Sequence, residues 1–114
     1  MNIGKIGENV VKNYLVEKGF RILCRNFHSR YGEIDIICEN FEYIVFVEVK
    51  TKLESTYSVA RERVDYFKKN KFLKTIGTYI LENKIIKNLR IDVIEVILKN
   101  DGFLINHIEN AFGV

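Results

Sequence analysis

Proline is absent from this chain, and cysteine and histidine occur only twice each in 114 residues. With no proline, no low-complexity linker and no internal repeat, nothing marks a domain boundary, and residues 1–114 read as one compact domain with a single core. Cys24 and Cys38 fit no metal-ligand spacing and fall in apolar segments, so both are expected to be reduced core thiols, as in cytoplasm. His28 is isolated at a strand end, and no catalytic pattern links Asn106, His107 and Asn110. Long hydrophobic runs are missing too: no stretch reaches the ~20 apolar residues of a membrane span. Met1-Asn2-Ile3-Gly4-Lys5 also lacks the apolar run of a signal peptide. The expected location is cytoplasmic. No charge of one sign dominates, since 18 Lys and Arg face 15 Asp and Glu for a net +3. Such a mild excess permits nucleic-acid binding without demanding it, and the placement of the lysines matters more.

What is present is organised around two short runs rich in β-branched residues, Gly32-Glu33-Ile34-Asp35-Ile36-Ile37 and Val45-Phe46-Val47-Glu48-Val49-Lys50-Thr51. With Glu39-Asn40-Phe41-Glu42 as the connection, they read as an antiparallel hairpin. Alternation sends Ile44, Phe46, Glu48 and Lys50 to one face, and Val45, Val47 and Val49 to the other. Two apolar faces are the pattern of an interior strand covered on both sides. Glu48 and Lys50 are anomalous there, and Asp35 repeats the anomaly on the neighbouring strand. A buried carboxylate costs several kcal/mol, roughly, unless it is paired or holds a metal.

An acid on one strand and Glu-x-Lys on the next suit phosphodiester cleavage. Two carboxylates can hold Mg²⁺ or Mn²⁺, hard cations that prefer oxygen ligands. The two-residue spacing puts Lys50 on the face of Glu48, where its ammonium orients a water or balances transition-state charge. The alternative reading makes Lys50 a structural ion-pair partner of Glu48 or Asp35.

Along the rest of the chain, Gly4 to Lys18 reads as an amphipathic helix, with Ile3, Ile6, Val10, Val11, Tyr14 and Leu15 at helical spacing and Gly19 as its cap. Glu8 borders the buried stripe. Phe20 to Ser29 reads as the first strand, with Ile22, Cys24 and Asn26 on one face and Leu23, Arg25 and Phe27 on the other. Lys52 to Arg63 is a polar, partly periodic segment. A second helix is expected from about Arg61 to Asn83, burying Val64, Phe67, Phe72, Ile76, Tyr79 and Ile80. Gly77 within it implies close packing of another element, since glycine costs roughly 1 kcal/mol against alanine there. Lys68, Lys69, Lys71 and Lys74 crowd its first half, either as a solvated face or as a basic ridge for phosphates. Arg30 and Lys52, flanking the acidic hairpin, join that candidate nucleic-acid surface. Leu89 to Leu98 is a further strand in which Arg90 and Asp92 are read as a structural pair. Asp101-Gly102 is the expected turn into a last strand, Phe103 to Ile108. The order α-β-β-β-α-β-β argues an α/β domain with helices packed on a central mixed sheet.

Gly7-Glu8, Gly32-Glu33-Ile34-Asp35, Phe46-Val47-Glu48-Val49-Lys50-Thr51, Arg90-Ile91-Asp92-Val93-Ile94 and Asn110-Ala111-Phe112, in this order, resemble the YraN-like family of small bacterial proteins. That family is similar in turn to the PD-(D/E)XK nucleases, which include archaeal Holliday-junction resolvases. The resemblance implies a restriction-endonuclease-like fold and a metal-dependent nuclease acting on DNA, duplex or branched. It assigns the Mg²⁺ or Mn²⁺ site to Asp35, Glu48 and the Val49 carbonyl. Lys50 becomes the group that positions the attacking water, Glu8 a further carboxylate, and 5′-phosphate ends the product. A homodimer is expected by the same analogy. Where the family has a phenylalanine-glycine pair, this chain has Tyr57-Ser58. A binding module that keeps the fold without cutting is the alternative function. A protein scaffold is the third, and it leaves the acid-lysine cluster unexplained.

Overall fold

A computed structural model describes residues 2–56 and 66–112. Its elements are α1 (Ile3–Glu17), β1 (Arg21–Ser29), β2 (Gly32–Glu39), β3 (Tyr43–Leu53), a 3₁₀ turn (Glu54–Thr56), α2 (Tyr66–Asn83), β4 (Asn88–Lys99) and β5 (Gly102–Ile108). This is the element order expected from the sequence. The strands form one mixed sheet in the order β1-β2-β3-β4-β5. Neighbours are antiparallel except for β3 and β4, which run parallel through the α2 crossover. Among the described residues no helix is long and apolar enough to cross a membrane.

Local chemistry sets the boundaries. Asn2 caps α1 by accepting the Lys5 N–H, and at its other end Gly19 adopts φ +92°. There Gly19 N–H and Phe20 N–H return to the Val16 and Leu15 carbonyls, a glycine-closed helix end. Asn40 shapes the β2–β3 connection, its side-chain oxygen accepting both the Glu42 and Tyr43 N–H groups.

Each face of the sheet carries one helix and one apolar cluster. Val11 and Leu15 of α1 pack on Ile36, Cys38, Val45, Val47, Ile94 and Val96. On the opposite face Phe72, Ile76 and Tyr79 of α2 pack on Ile34, Ile37, Ile44, Phe46 and Ile91. Full burial of each large side chain is worth about 1.5–3 kcal/mol. The split of Phe46 from Val45 and Val47 is the alternation expected for a strand covered on both sides. Gly7 is required where α1 crosses β3, because a Cβ there would overlap the Thr51 side chain.

Four expectations need correction. β1 does not alternate: Leu23, Cys24 and Phe27 all pack on the α2 side while Ile22 joins the α1 side. The register shifts between Ile22 and Cys24, and Asn26 takes a left-handed conformation with φ 54°. β3 continues through Lys52 and Leu53, beside Ile97 and Leu98, because the parallel partner extends as far. Gly77 has open space beside it and no packed element. The last turn is Asn100-Asp101, with Gly102 opening β5 opposite Lys99. Val64, the Tyr57-Ser58 pair and the expected helix start at Arg61 lie outside the described residues.

Candidate active site

The β2–β3 ladder runs from Glu39 opposite Ile44 to Ile36 opposite Val47, and there the strands part. β2 also swivels at this point, since Ile34 packs on the α2 side although Ile36 packs on the α1 side. In the gap, the Asp35 carboxylate takes over the ladder's role and accepts the Val49 N–H at 2.8 Å. A side chain therefore replaces a backbone carbonyl where the sheet opens, holding Asp35 at a fixed place on the rim.

The opening is a cleft of about 230 Å³ lined by Tyr31, Glu33, Asp35 and Glu48 from the sheet and by Lys71, Phe72 and Thr75 from α2. Asp35 and Glu48 thus share one cleft on the α2 face. Lys50 follows Glu48 on that face of β3 and lies beside Glu95 of β4 in the register. Burial raises the Asp35 carboxyl from its ordinary 3.8 to about 6. The Val49 N–H works against the rise, and the charges of Glu8, Glu33 and Glu48 add to it.

Glu8 reaches this neighbourhood through Asn26. With its amide nitrogen turned to the carboxylates, Asn26 donates to Glu8 Oε1 at 3.0 Å and to Glu33 Oε1 at 2.9 Å. It thereby ties α1 to β2 from an irregular point of β1. Neither Asn26 nor Glu33 is distinguished by spacing in the sequence; the left-handed backbone inside a strand is the signal, and it is visible only in three dimensions. Among the described residues no three His, Cys, Asp or Glu side chains stand together as a ready-made metal cage.

The basic residues divide. Lys71 lines the cleft. Arg30 and Lys74 both approach the Tyr31 ring at the cleft mouth, with the guanidinium 4.9 Å and the ammonium 5.4 Å from the ring centroid. Lys69 instead sits over Phe112, at 5.4 Å, and belongs to the packing of the C-terminal segment on α2. Lys52 is half-buried in β3. The Lys68 side chain lies outside the described residues.

A second polar cluster occupies the α1 face. Asp92 is completely buried on β4 and accepts from Arg90 Nε and Nη2, both at 2.9 Å, and from the Asn110 N–H at 3.0 Å. His107 Nε2 approaches it at 2.7 Å, and Tyr14 Oη meets His107 Nδ1 at 2.8 Å. Ionised Asp92 only accepts, so His107 Nε2 carries the proton it donates to that carboxylate. Burial would raise the Asp92 carboxyl, but its bonds to His107, Arg90 and the Asn110 N–H outweigh burial and hold it below the usual carboxylate range. The Arg90–Asp92 pairing was legible from the sequence; the His107 and Tyr14 links were not.

Comparison with known proteins places the chain in a single family over most of its length. A family model described as "Uncharacterised protein family UPF0102" matches residues 7–96, a span that holds both carboxylate clusters up to β4. A UPF0102 protein of Clostridium acetobutylicum is 46% identical over 114 residues, covering 97% of this chain and 93% of the relative. One from Alkaliphilus oremlandii is 46% identical over 113 residues, covering 96% and 97%. One from Persephonella marina is 44% identical over 110 residues, covering 96% and 91%. With a family match over most of its length and near full-length relatives on every side, the chain belongs to the UPF0102 family.

Proposed function

We propose that this protein is a metal-dependent nuclease of restriction-endonuclease-like fold that hydrolyses DNA phosphodiester bonds, branched or structured DNA included. The observation that carries the reading is the cleft where β2 and β3 part. It gathers Asp35 and Glu48 beside Lys71, with Asp35 raised to about 6 by burial and by three neighbouring acids. A group in that state gains from a cation, which would return it to the ionised form.

The donor set fits Mg²⁺ or Mn²⁺: it is all oxygen, from Asp35, Glu48 and the Val49 carbonyl, with Glu8 tethered nearby. The lack of a three-carboxylate cage among the described residues suits a Mg²⁺-type ion, which is usually held by one or two carboxylates and keeps water and substrate phosphate as its other ligands. When bound, such an ion supplies positive charge against the developing charge on the phosphate. The chain's own residues do the rest. Lys50 orients the attacking water, Lys71 and Lys74 hold flanking phosphates, and Thr75 and Phe72 wall the cleft against bulk water. Products with 5′-phosphate ends and a homodimeric assembly accompany this reading.

The second reading is a nucleic-acid-binding module of the same fold that does not cut. Purified protein incubated with duplex, single-stranded and four-way-junction DNA, with Mg²⁺ or Mn²⁺, separates them. Cleavage by the wild type that Asp35→Ala and Glu48→Gln both abolish is the expected result. Wild-type protein that binds but cuts none of the three, with either metal, ends the nuclease reading.

A further inference from the structure

We infer that Tyr31 is a stacking platform for an unpaired nucleobase, so that the cleft takes its strand from a single-stranded segment of nucleic acid rather than from intact duplex. The inference rests on the nucleic-acid reading above and narrows its substrate class.

Tyr31 and Arg30 are the two residues at the tip of the β1–β2 hairpin, between Ser29 and its partner Gly32. A tip of this kind is ordinarily mobile, yet this one is tied down. The Tyr31 N–H donates to Ser29 Oγ at 3.0 Å, and Ser29 Oγ donates to Thr75 Oγ1 at 3.2 Å. Thr75, fully buried on α2, donates in turn to the Lys71 carbonyl at 2.8 Å. This relay fastens the hairpin tip to the helix that forms the other wall of the cleft. The Tyr31 ring is consequently held at the cleft mouth, half-exposed, and lines the same space as Asp35 and Glu48.

The charge around the ring fits a nucleotide. Arg30 Nη2 donates to Tyr31 Oη at 2.6 Å, and Lys74 approaches the ring from α2. Both cations are on exposed, flexible side chains that can move from the ring to a phosphate. An aromatic face beside mobile cations is how sequence-tolerant single-strand binders hold a base and its backbone together. In a duplex both faces of an internal base are covered by its neighbours, so the ring can serve only a base that is unpaired, frayed or at an end. An acidic cleft directly beside the ring then receives the adjoining phosphodiester.

The test measures binding by fluorescence anisotropy without divalent metal, so that cleavage plays no part. The probes are a labelled short oligo(dA), the matching oligo(rA) and a closed, blunt DNA hairpin duplex. Tyr31→Leu keeps apolar bulk without the π face, and Tyr31→Phe keeps the face without the hydroxyl. Tyr31→Leu is expected to weaken single-strand binding about 5- to 150-fold, the usual range for one lost stack. Its duplex affinity should stay within about twofold, and Tyr31→Phe should bind like wild type. A melting temperature for Tyr31→Leu close to that of wild type excludes misfolding, and Tyr31→Ala, which also lacks the π face, carries the test should Leu misfold. Equal loss on single strand and duplex, no loss on either, or a wild type that binds no single strand overturns the inference. The DNA and RNA arms show which backbone the site prefers. Failure of the nuclease reading is read separately: a wild type with Tyr31-dependent single-strand binding but no cleavage in Mg²⁺ or Mn²⁺ loses the activity and keeps the platform.

Discussion

Asp35 and Asp92 lie on opposite faces of the same five-stranded sheet, the first half-buried and the second fully buried, and their surroundings treat them in opposite ways. Asp92 receives a bidentate arginine, a histidine and a backbone N–H, and its carboxyl is held below the usual range. Asp35 receives the Val49 N–H, has Glu8, Glu33 and Glu48 as charged neighbours, and is raised to about 6. A buried carboxylate with its charge matched is a structural fastener. One surrounded by further acids in an open cleft is a poor fastener and a good cation ligand. The sheet thus separates a charge-matched cluster from one in which burial and neighbouring acids raise a carboxyl.

The largest expected effect tests the fastener. Asp92→Ala takes the bidentate partner from half-buried Arg90, leaving only the more distant Glu109, and strands His107 and the Asn110 N–H. It should cost about 3–5 kcal/mol, a fall of more than about 10 °C in Tm for a chain of this size. Asp35→Asn, by contrast, keeps the side-chain shape and removes the repulsion, so stability without metal should hold or rise. Thermal melts of the two variants side by side check the contrast, and an Asp35→Asn protein as damaged as Asp92→Ala would erase it.

Next in size is the response to metal. Mg²⁺ or Mn²⁺ at a hundredfold excess over its Kd should stabilise the wild type by about 2.7 kcal/mol. Asp35→Asn should lose most of that gain, while a mild variant of the other cluster, Tyr14→Phe, should keep it. Metal titration followed by urea unfolding reads both, and an equal gain in the Asp35 variant would move the cation elsewhere.

The smallest effect is on pH. Between about 4 and 6 the folded protein keeps the Asp35 proton that the unfolded chain has released, so stability falls as pH rises through this window. The destabilisation is fully present above about 6, on the order of 1–2 kcal/mol after allowance for solvent screening. Asp92 has the reverse sign: its contribution is present above the ordinary 3.8 and is lost as pH falls through its lower folded value. Denaturant melts across acid pH should therefore show Asp35→Asn flattening the slope between 4 and 6 and leaving the drop below 4 untouched.

Elements whose signal is local could be read from the sequence. Alternation in Val45–Lys50 placed Glu48 and Lys50 on one face, and antiparallel pairing brought Asp35 to the same cleft. The helical stripe of Val11 and Leu15, and the Arg90–Asp92 spacing, were legible for the same reason. What could not be read depends on irregular backbone or on distance along the chain. Asn26 works because β1 breaks its own alternation with a left-handed residue, which no period-2 pattern announces. Tyr14 and His107 meet from opposite ends of the chain, α1 and β5, and neither residue carries a mark of the other. Lys69 sits in the same basic run as Lys71 and Lys74, yet it turns to Phe112, because helix position fixes direction and composition does not.

Parallel pairing of β3 with β4 orders the assembly in time. The β1-β2-β3 meander and the β4–β5 hairpin close through short turns, steps that ordinarily take about 1–10 μs. Joining Tyr43 to Asn88 must close the whole α2 crossover first, with a larger loss of chain entropy. Glu8, Asn26, Glu33, Asp35 and Glu48 all lie in the chain before the α2 crossover, so the acidic rim belongs to the first half of the chain. The Tyr14–His107–Asp92–Arg90 chain spans the junction and can close only after the two halves dock. Damage to Asp92 should accordingly appear as faster unfolding with nearly unchanged refolding, measurable by stopped-flow dilution from urea. The fastener acts as the latch that sets the lifetime of the native state.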